Sequence, residues 1–256
     1  MALVASDLPS RPIAWRPCWR LIPSRFPPID LFERIADPAD FDALAALEGF
    51  TNDRLRDAAG EISLVPPEDR VAGPGAGYVM AAFTHVNPSG SRFTDGRYGV
   101  YYTAENLETA IAETRYHRAK FLAATNEAPI EIDMRVLAAD LVGDLADISD
   151  LATERPEIRS ETDYSAGQSL GREVRSLGAW GLLYESVRQP GFMCAAVFRP
   201  PVLSNCRQER HLCYVWNGVE VSEIYEKRSF ERGTDILISA VSSTEVYDCG
   251  AEHGLI

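Results

Sequence analysis

Apolar and polar positions repeat with two periods along this chain, and the changes of period mark out its elements. Cys18-Trp19-Arg20-Leu21-Ile22 alternates as a short strand ended by Pro23, after a Pro-rich start over 1–17 that reads as a loose extension. Phe41, Leu44, Ala45 and Leu47 recur at helical spacing over 38–48, with Gly49 as the stop. Residues 60–77 are rich in turn formers, and 78–86 reads as a buried strand. Asp95-Gly96 marks a turn, 99–103 alternates as a strand, and a helix over about 105–123 carries Leu107, Ala110, Ile111, Thr114 and Phe121 as its inner stripe.

Residues 129–136 read as a further strand. Ser165-Ala166-Gly167-Gln168 fits a capping box, and Leu170, Val174 and Leu177 then follow helical spacing until Gly178. Apolar strands are expected at 182–187 and 192–198, and 213–216 and 219–221 flank Asn217-Gly218, a strong hairpin signal. Strands and helices do not alternate strictly, so the pattern predicts an α+β fold with a mixed β-sheet core flanked by helices.

Composition narrows the classes of function. With 256 residues and 46% hydrophobic content, the chain can bury one large core, or one core with a long insertion. Its formal charge of −13 excludes a polyanion binder that works by bulk attraction, so direct nucleic-acid binding is not expected. The acidic excess sits in 30–70, with eleven acids and four bases, and in 136–163, with eight acids and two bases. Those stretches are either solvated faces or a surface for a basic partner. No apolar run is long enough to cross a bilayer, and the first residues lack the basic start and apolar stretch of a secretory signal. Five scattered cysteines without a CxxC pair fit a reducing cytoplasm better than a disulfide framework.

Gly73-Pro74-Gly75-Ala76-Gly77 does not fit GxGxxG spacing and lacks a helix-start pattern after it, so a dinucleotide loop of the doubly wound kind is rejected. Cys206, His211 and Cys213 match no common zinc spacing, and no metal is expected. His85, His117 and His253 have no recognisable nucleophile beside them. Of the 25 basic residues 23 are arginine, so an anion site here would be built from guanidinium forks.

Arg20, Arg92, Tyr102, Glu113 and Ser165 stand out together. A strand-to-helix connection as short as the one after Tyr102 folds the helix back on the sheet, which brings an inner-face Glu113 towards the strand end. A surface Glu113 paired with His117 at i,i+4, and Ser165 as an ordinary N-cap, explain the same spacing. A helix N-terminus is also a ready anion site.

In this order the residues resemble the RES domain family. Cys18-Trp19-Arg20 is similar to the family's aromatic residue and first arginine, and Gly90-Ser91-Arg92-Phe93 to its Gly-Arg-Trp turn. Val100-Tyr101-Tyr102-Thr103-Ala104 resembles its aromatic strand, and Glu113 falls nine residues after Ala104. Asp163-Tyr164-Ser165-x-x-Gln168 resembles its serine motif, and 181–188, with Ser186, its closing strand. The similarity spans a catalytic domain over 18–204, with a segment about 30–89 inserted between Arg20 and Arg92, and a C-terminal extension with a hairpin over 205–256. Glu185 stands where the family has proline.

The resemblance implies an ADP-ribosyltransferase-like fold and a toxin of a toxin–antitoxin pair that consumes NAD+ as substrate, as a glycohydrolase or phosphorylase. An ADP-ribosyltransferase acting on a protein is the alternative within enzymes, and a non-catalytic interaction module the alternative outside them. Glu113, Arg20 and Ser165 are expected to be catalytic, with Arg92, Tyr102 and Ser186 binding the nucleotide. The implied partner is a helix-turn-helix antitoxin of the Xre type whose C-terminal part plugs the site. Homo-oligomerisation is compatible with this picture.

Overall fold

The computed structural model describes residues 7–25, 31–34 and 60–228; the helix expected over 38–48 lies outside them, as do Cys249 and His253. Two strands carry the architecture. β1 (Ser10–Pro23) and β2 (Tyr101–Ala104) share a single ladder pair, Trp19 opposite Ala104. β1 instead runs antiparallel to β3 (Ile130–Asp147), from Ser10 opposite Ala146 to Pro23 opposite Met134, with a register slip between Trp15 and Cys18. The start expected to be loose is therefore a strand from Ser10 onwards. Pro12 and Pro17 disguise it in sequence, because a residue without an N–H reads as a strand breaker. Here β3 is the partner of 10–15 among the described residues, and prolines are tolerated on a strand with one unpaired edge.

β3 likewise outruns the expected 129–136 and crosses the acidic segment, with Leu141 and Leu145 fully buried and Asp144 exposed between them. β4 (Gly181–Glu185) lies parallel to the end of β3 at Ala146 and Asp147, and β5 (Met193–Val197) pairs antiparallel with both β4 and β2. The strands β1, β2, β5, β4 and β3 thus close on themselves. β6 (Leu203–Trp216) pairs with the remaining edge of β3, and β7 (Val221–Lys227) pairs with β6, giving a mixed seven-stranded sheet. Asn217 makes the hairpin turn: its Oδ1 accepts from the N–H groups of Val219 and Glu220, both at 2.9 Å, so Val219 belongs to the turn rather than to the strand.

The helices are α1 (Leu31–Arg34), α2 (Ala76–Thr84), α3 (Leu107–Ala124), α4 (Ser149–Glu154) and α5 (Ser165–Ser176). α2 replaces the strand expected at 78–86. A short apolar run reads equally as a buried strand or helix, but Ala76, Val79, Met80 and Phe83 bury one helical face. Gly75 starts it with φ +80°, and a Cβ there would collide with the Cys206 carbonyl, so α2 lies tight against β6. α3 is capped by Asn106, whose side chain accepts from the Thr109 N–H at 2.8 Å. Its stripe ends on buried Leu122 instead of Phe121, which is 49% exposed, and Thr114 Oγ1 shares a 2.8 Å hydrogen bond with the Tyr214 hydroxyl of β6.

α5 begins as expected, but the capping box does not form. The Ser165 N–H donates to Asp163 Oδ1 at 2.9 Å, and the Gln168 amide reaches instead to the Ser91 carbonyl at 3.1 Å. Ser165 is the first helical residue and makes no side-chain cap. α5 can approach this closely because Gly167 faces the Arg92 carbonyl, where a Cβ would sit 2.5 Å away. One apolar cluster lies under α2 around Met80, Phe83 and Leu141, one under α5 around Phe93 and Leu170, and one under α3 around Met134 and Trp216.

Gly75→Ala forces a side chain into a left-handed position against the β6 backbone. We expect it to lower the free energy of unfolding by more than about 1 kcal/mol in urea titration; an unchanged midpoint would mean that α2 can move away from β6.

Candidate active site

The single paired position between β1 and β2 leaves the two strands splayed beside α3, and a cavity of about 220 Å³ lies there. Arg20 comes from β1, Tyr102 from β2, Arg92 from the loop before β2, and Glu113 from α3. Ala110, Glu113, Thr114 and His117 line it at i, i+3, i+4 and i+7, which is one face of a helix. Tyr184 and the Cys194 thiol close the floor; burial raises the pKa of both.

Each cation is fixed before any ligand arrives. Arg20 lies over the Tyr101 ring, 4.6 Å from its centroid, and donates from Nη1 to the Tyr102 carbonyl at 2.9 Å. Burial lowers its pKa from the ordinary guanidinium value. Arg92, only 7% exposed, donates from Nη1 to the carbonyls of Ile158 and Ser160 at 3.2 and 2.9 Å. Its Nη2 is buried without a hydrogen-bond partner among the described residues. A buried donor left open is costly unless something accepts from it, and this one belongs to a side chain that lines the cavity. Tyr102 holds the Arg92 loop: its hydroxyl accepts from the Phe93 N–H at 3.0 Å and shares a 2.7 Å bond with Ser91 Oγ. Burial pushes this phenol up to about 12.

Glu113 is the carboxylate of the cavity, its side chain 19% exposed. Ser186 Oγ donates to its Oε1 at 2.7 Å. The same Ser186 oxygen accepts from the N–H groups of Arg188 and Gln189 at 3.2 and 3.0 Å, so both acceptor positions are filled and its one proton has one destination. Ser186 is fully buried behind Glu113 and holds that side chain, which differs from the nucleotide-binding place expected for it. The second carboxylate oxygen stands 3.9 Å from His117 Nε2.

The expected residues therefore divide. Arg20, Arg92, Tyr102 and Glu113 share one cavity, and Ser186 stands directly behind it. Ser165 is exposed at the start of α5 and does not line the cavity; its neighbour Tyr164 packs on Arg92 from outside it, with Arg92 Cζ 4.9 Å from its ring centroid. Glu185, in place of proline, closes the β4–β5 turn: its Oε1 accepts from the Gly191 N–H at 2.7 Å and its Oε2 pairs with Arg159 at 2.9 Å. Among the described residues no three His, Cys, Asp or Glu side chains gather in a metal-binding group, and no helix is long and apolar enough to cross a membrane. Trp19 is the aromatic residue of the first motif, whereas Tyr184 and Cys194 were not singled out from sequence. Nothing in their spacing distinguishes a cavity floor from an ordinary apolar strand.

Burial lowers the pKa of His117 from its ordinary 6.5, and the Glu113 charge raises it in part. An NMR titration should place the imidazole midpoint below 6.5. Glu113→Gln removes the opposing charge and should move it lower still; an upward movement would mean that the two side chains do not face each other.

The RES domain family model matches residues 67–217, well over half of the chain. The uncharacterized protein y4oC of Sinorhizobium fredii (strain NBRC 101917 / NGR234) is 34% identical over 207 residues, which span 81% of this chain and 86% of that protein. A chain of the crystal structure of the M. tuberculosis MbcT–MbcA toxin–antitoxin complex is 15% identical, with a TM-score of 0.43 over 82% of this chain and 87% of that one. With the family model over more than half of the chain and y4oC 34% identical over 81% of it, the chain belongs to the RES domain family.

Proposed function

We propose that this chain consumes NAD+ by breaking its nicotinamide–ribose bond, and that it acts in the cytoplasm as the toxin of a toxin–antitoxin pair. The observation that carries this reading is a carboxylate held by a buried serine, in the same cavity as an arginine with an open donor. The ADP-ribosyltransferase-like fold implied by the family resemblance agrees with it.

NAD+ suits such a site. Its nicotinamide is already cationic in the glycosidic bond and departs neutral, so the leaving group needs no proton. The paired carboxylates of ordinary glycosidases are not required. What the reaction needs is a negative charge beside the ribose as positive charge develops on the sugar, and Glu113 supplies it without reorganising, because Ser186 already fixes one of its oxygens. Arg92 Nη2 offers a donor to a phosphate or ribose oxygen. Arg20, bonded to the Tyr102 carbonyl, sets the cation at the far wall. A net charge of −13 does not oppose a dianion here, because arginines in contact range outweigh acids screened by about 10 Å of salt solution. The antitoxin of this reading is an Xre-type helix-turn-helix protein whose C-terminal part covers the cavity.

Mass spectrometry of NAD+ incubated with the purified chain, with and without phosphate, tests the reading. Nicotinamide with free ADP-ribose, or with its phosphate, is the expected result. Label from NAD+ on a protein band would mean transfer of ADP-ribose instead, and no NAD+ loss from partner-free chain would leave an interaction module. Glu113→Gln keeps shape and removes charge, and should slow turnover by about 100-fold or more. Arg92→Lys gathers its donors on one nitrogen and cannot hold the Ile158 and Ser160 carbonyls while aiming a second nitrogen elsewhere, so we expect the apparent NAD+ affinity to weaken by about tenfold; an unchanged affinity would remove Arg92 from the phosphate.

A further inference from the structure

Beyond the cavity wall, several polar groups are buried without a hydrogen-bond partner among the described residues: Nε and Nη2 of Arg188, Nη2 of Arg92 and the Tyr164 hydroxyl. They come from three separate segments and meet around two aromatic rings. Arg92 Cζ lies 4.9 Å and Lys120 Nζ 5.6 Å from the Tyr164 ring centroid. Arg188 Cζ lies 3.3 Å from the Tyr116 ring centroid, and Tyr116 packs edge-on to His117 at 5.4 Å. Three cations thus cluster at one rim of the cavity in a strongly acidic protein.

Among the described residues one carboxylate pairs with this cluster. Glu161 Oε2 pairs with Arg188 Nη1 at 2.8 Å. The two partners are unequal: the Arg188 side chain is 11% exposed and that of Glu161 62%. An exposed carboxylate is a weak counterion, since water competes for it, whereas a buried guanidinium with two open donors gains much from a better anion. The Glu161 segment is also lightly held. Ser160 gives its carbonyl to Arg92, and the Glu161 carbonyl accepts from the Tyr116 hydroxyl at a long 3.4 Å.

We propose that Arg188, with Arg92 Nη2 and Lys120, forms the subsite for the diphosphate of the substrate, and that Glu161 fills it in the free protein as a displaceable stand-in for that anion. The proposal rests on the NAD+ reading for the identity of the ligand and on the open donors for the site. Arg188 follows Ser186 by two residues, and Ser186 holds Glu113, so the turn after β4 connects the diphosphate and the ribose ends of one ligand. Displacing Glu161 breaks its pair with Arg188 and transfers the freed Nη1, together with Nε and Nη2, to phosphate oxygens. No covalent step is involved.

Calorimetric titration of the full chain with inorganic pyrophosphate tests the subsite without depending on turnover. Pyrophosphate should bind, and Arg188→Gln should weaken it by about tenfold or more. Glu161→Gln removes the competing carboxylate and should tighten it by about twofold to fivefold. Arg188→Lys, which keeps the charge and loses the fork, should fall between wild type and Arg188→Gln. Circular dichroism of each variant separates a lost site from a lost fold. No pyrophosphate binding, or equal affinity in folded wild type, Arg188→Gln and Glu161→Gln, overturns the proposal. Pyrophosphate binding in the expected order with no NAD+ consumed would keep the anion site and refute the reaction. NAD+ consumption with pyrophosphate affinity unmoved by either variant would keep the reaction and refute the subsite.

Discussion

A serine hydroxyl has one proton to give, and at Ser186 two backbone N–H groups leave it a single use, the bond to Glu113. The placement of the cavity's carboxylate depends on that constraint. A glutamate near the middle of a helix has three side-chain torsions to settle, and without a fixed donor it samples several rotamers. Held at Oε1, it presents its other oxygen towards His117 and the open space in one geometry. In the proposed reaction, a charge that does not need to move as the sugar becomes cationic is worth more than one that does. The β4–β5 turn supplies this at the cost of burying Ser186 completely, which the protein offsets with three hydrogen bonds to one oxygen.

The fold can be understood as the means of bringing that turn opposite α3. β1 and β3 form the long spine, and the ring through β2, β5 and β4 closes only because β4 runs parallel to the last residues of β3. Closure at that end leaves β1 and β2 with a single paired position at the other, and the cavity occupies the gap. The same economy fixes Arg92. Its loop is pinned by the Tyr102 hydroxyl from below and by Gln168 from α5, so the guanidinium reaches into the cavity from a rigid base. Both arginines spend one nitrogen on backbone carbonyls, and Nη2 of Arg92 has no partner among the described residues.

Much of this was legible in the sequence where local chemistry decides it. The Asn217-Gly218 hairpin, the helix after Asn106 and the apolar strands β4 and β5 are set by turn residues, caps and short-range pattern, and they lie where the spacing puts them. Arg20, Arg92, Tyr102 and Glu113 were legible through the family's motifs, and they meet in one cavity. What was not legible depends on partners distant in the chain. α2 reads as a strand because its apolar run is short, and only the close approach of Gly75 to β6 reveals a helix packed flat. The first half of β1 hides behind two prolines that only an unpaired edge makes tolerable. Ser165 carries an N-cap signature, yet Gln168 is drawn off to Ser91, and the serine that touches Glu113 is Ser186, from the turn after β4. No spacing rule links positions 73 residues apart.

A double-mutant cycle on NAD+ turnover is the most direct test of whether Ser186 works through Glu113. If it does, Ser186→Ala slows the reaction, and adding it to Glu113→Gln costs almost nothing more, because the hydroxyl no longer has a charge to hold. Losses that simply add, in variants that remain folded, would show two independent roles and contradict the account.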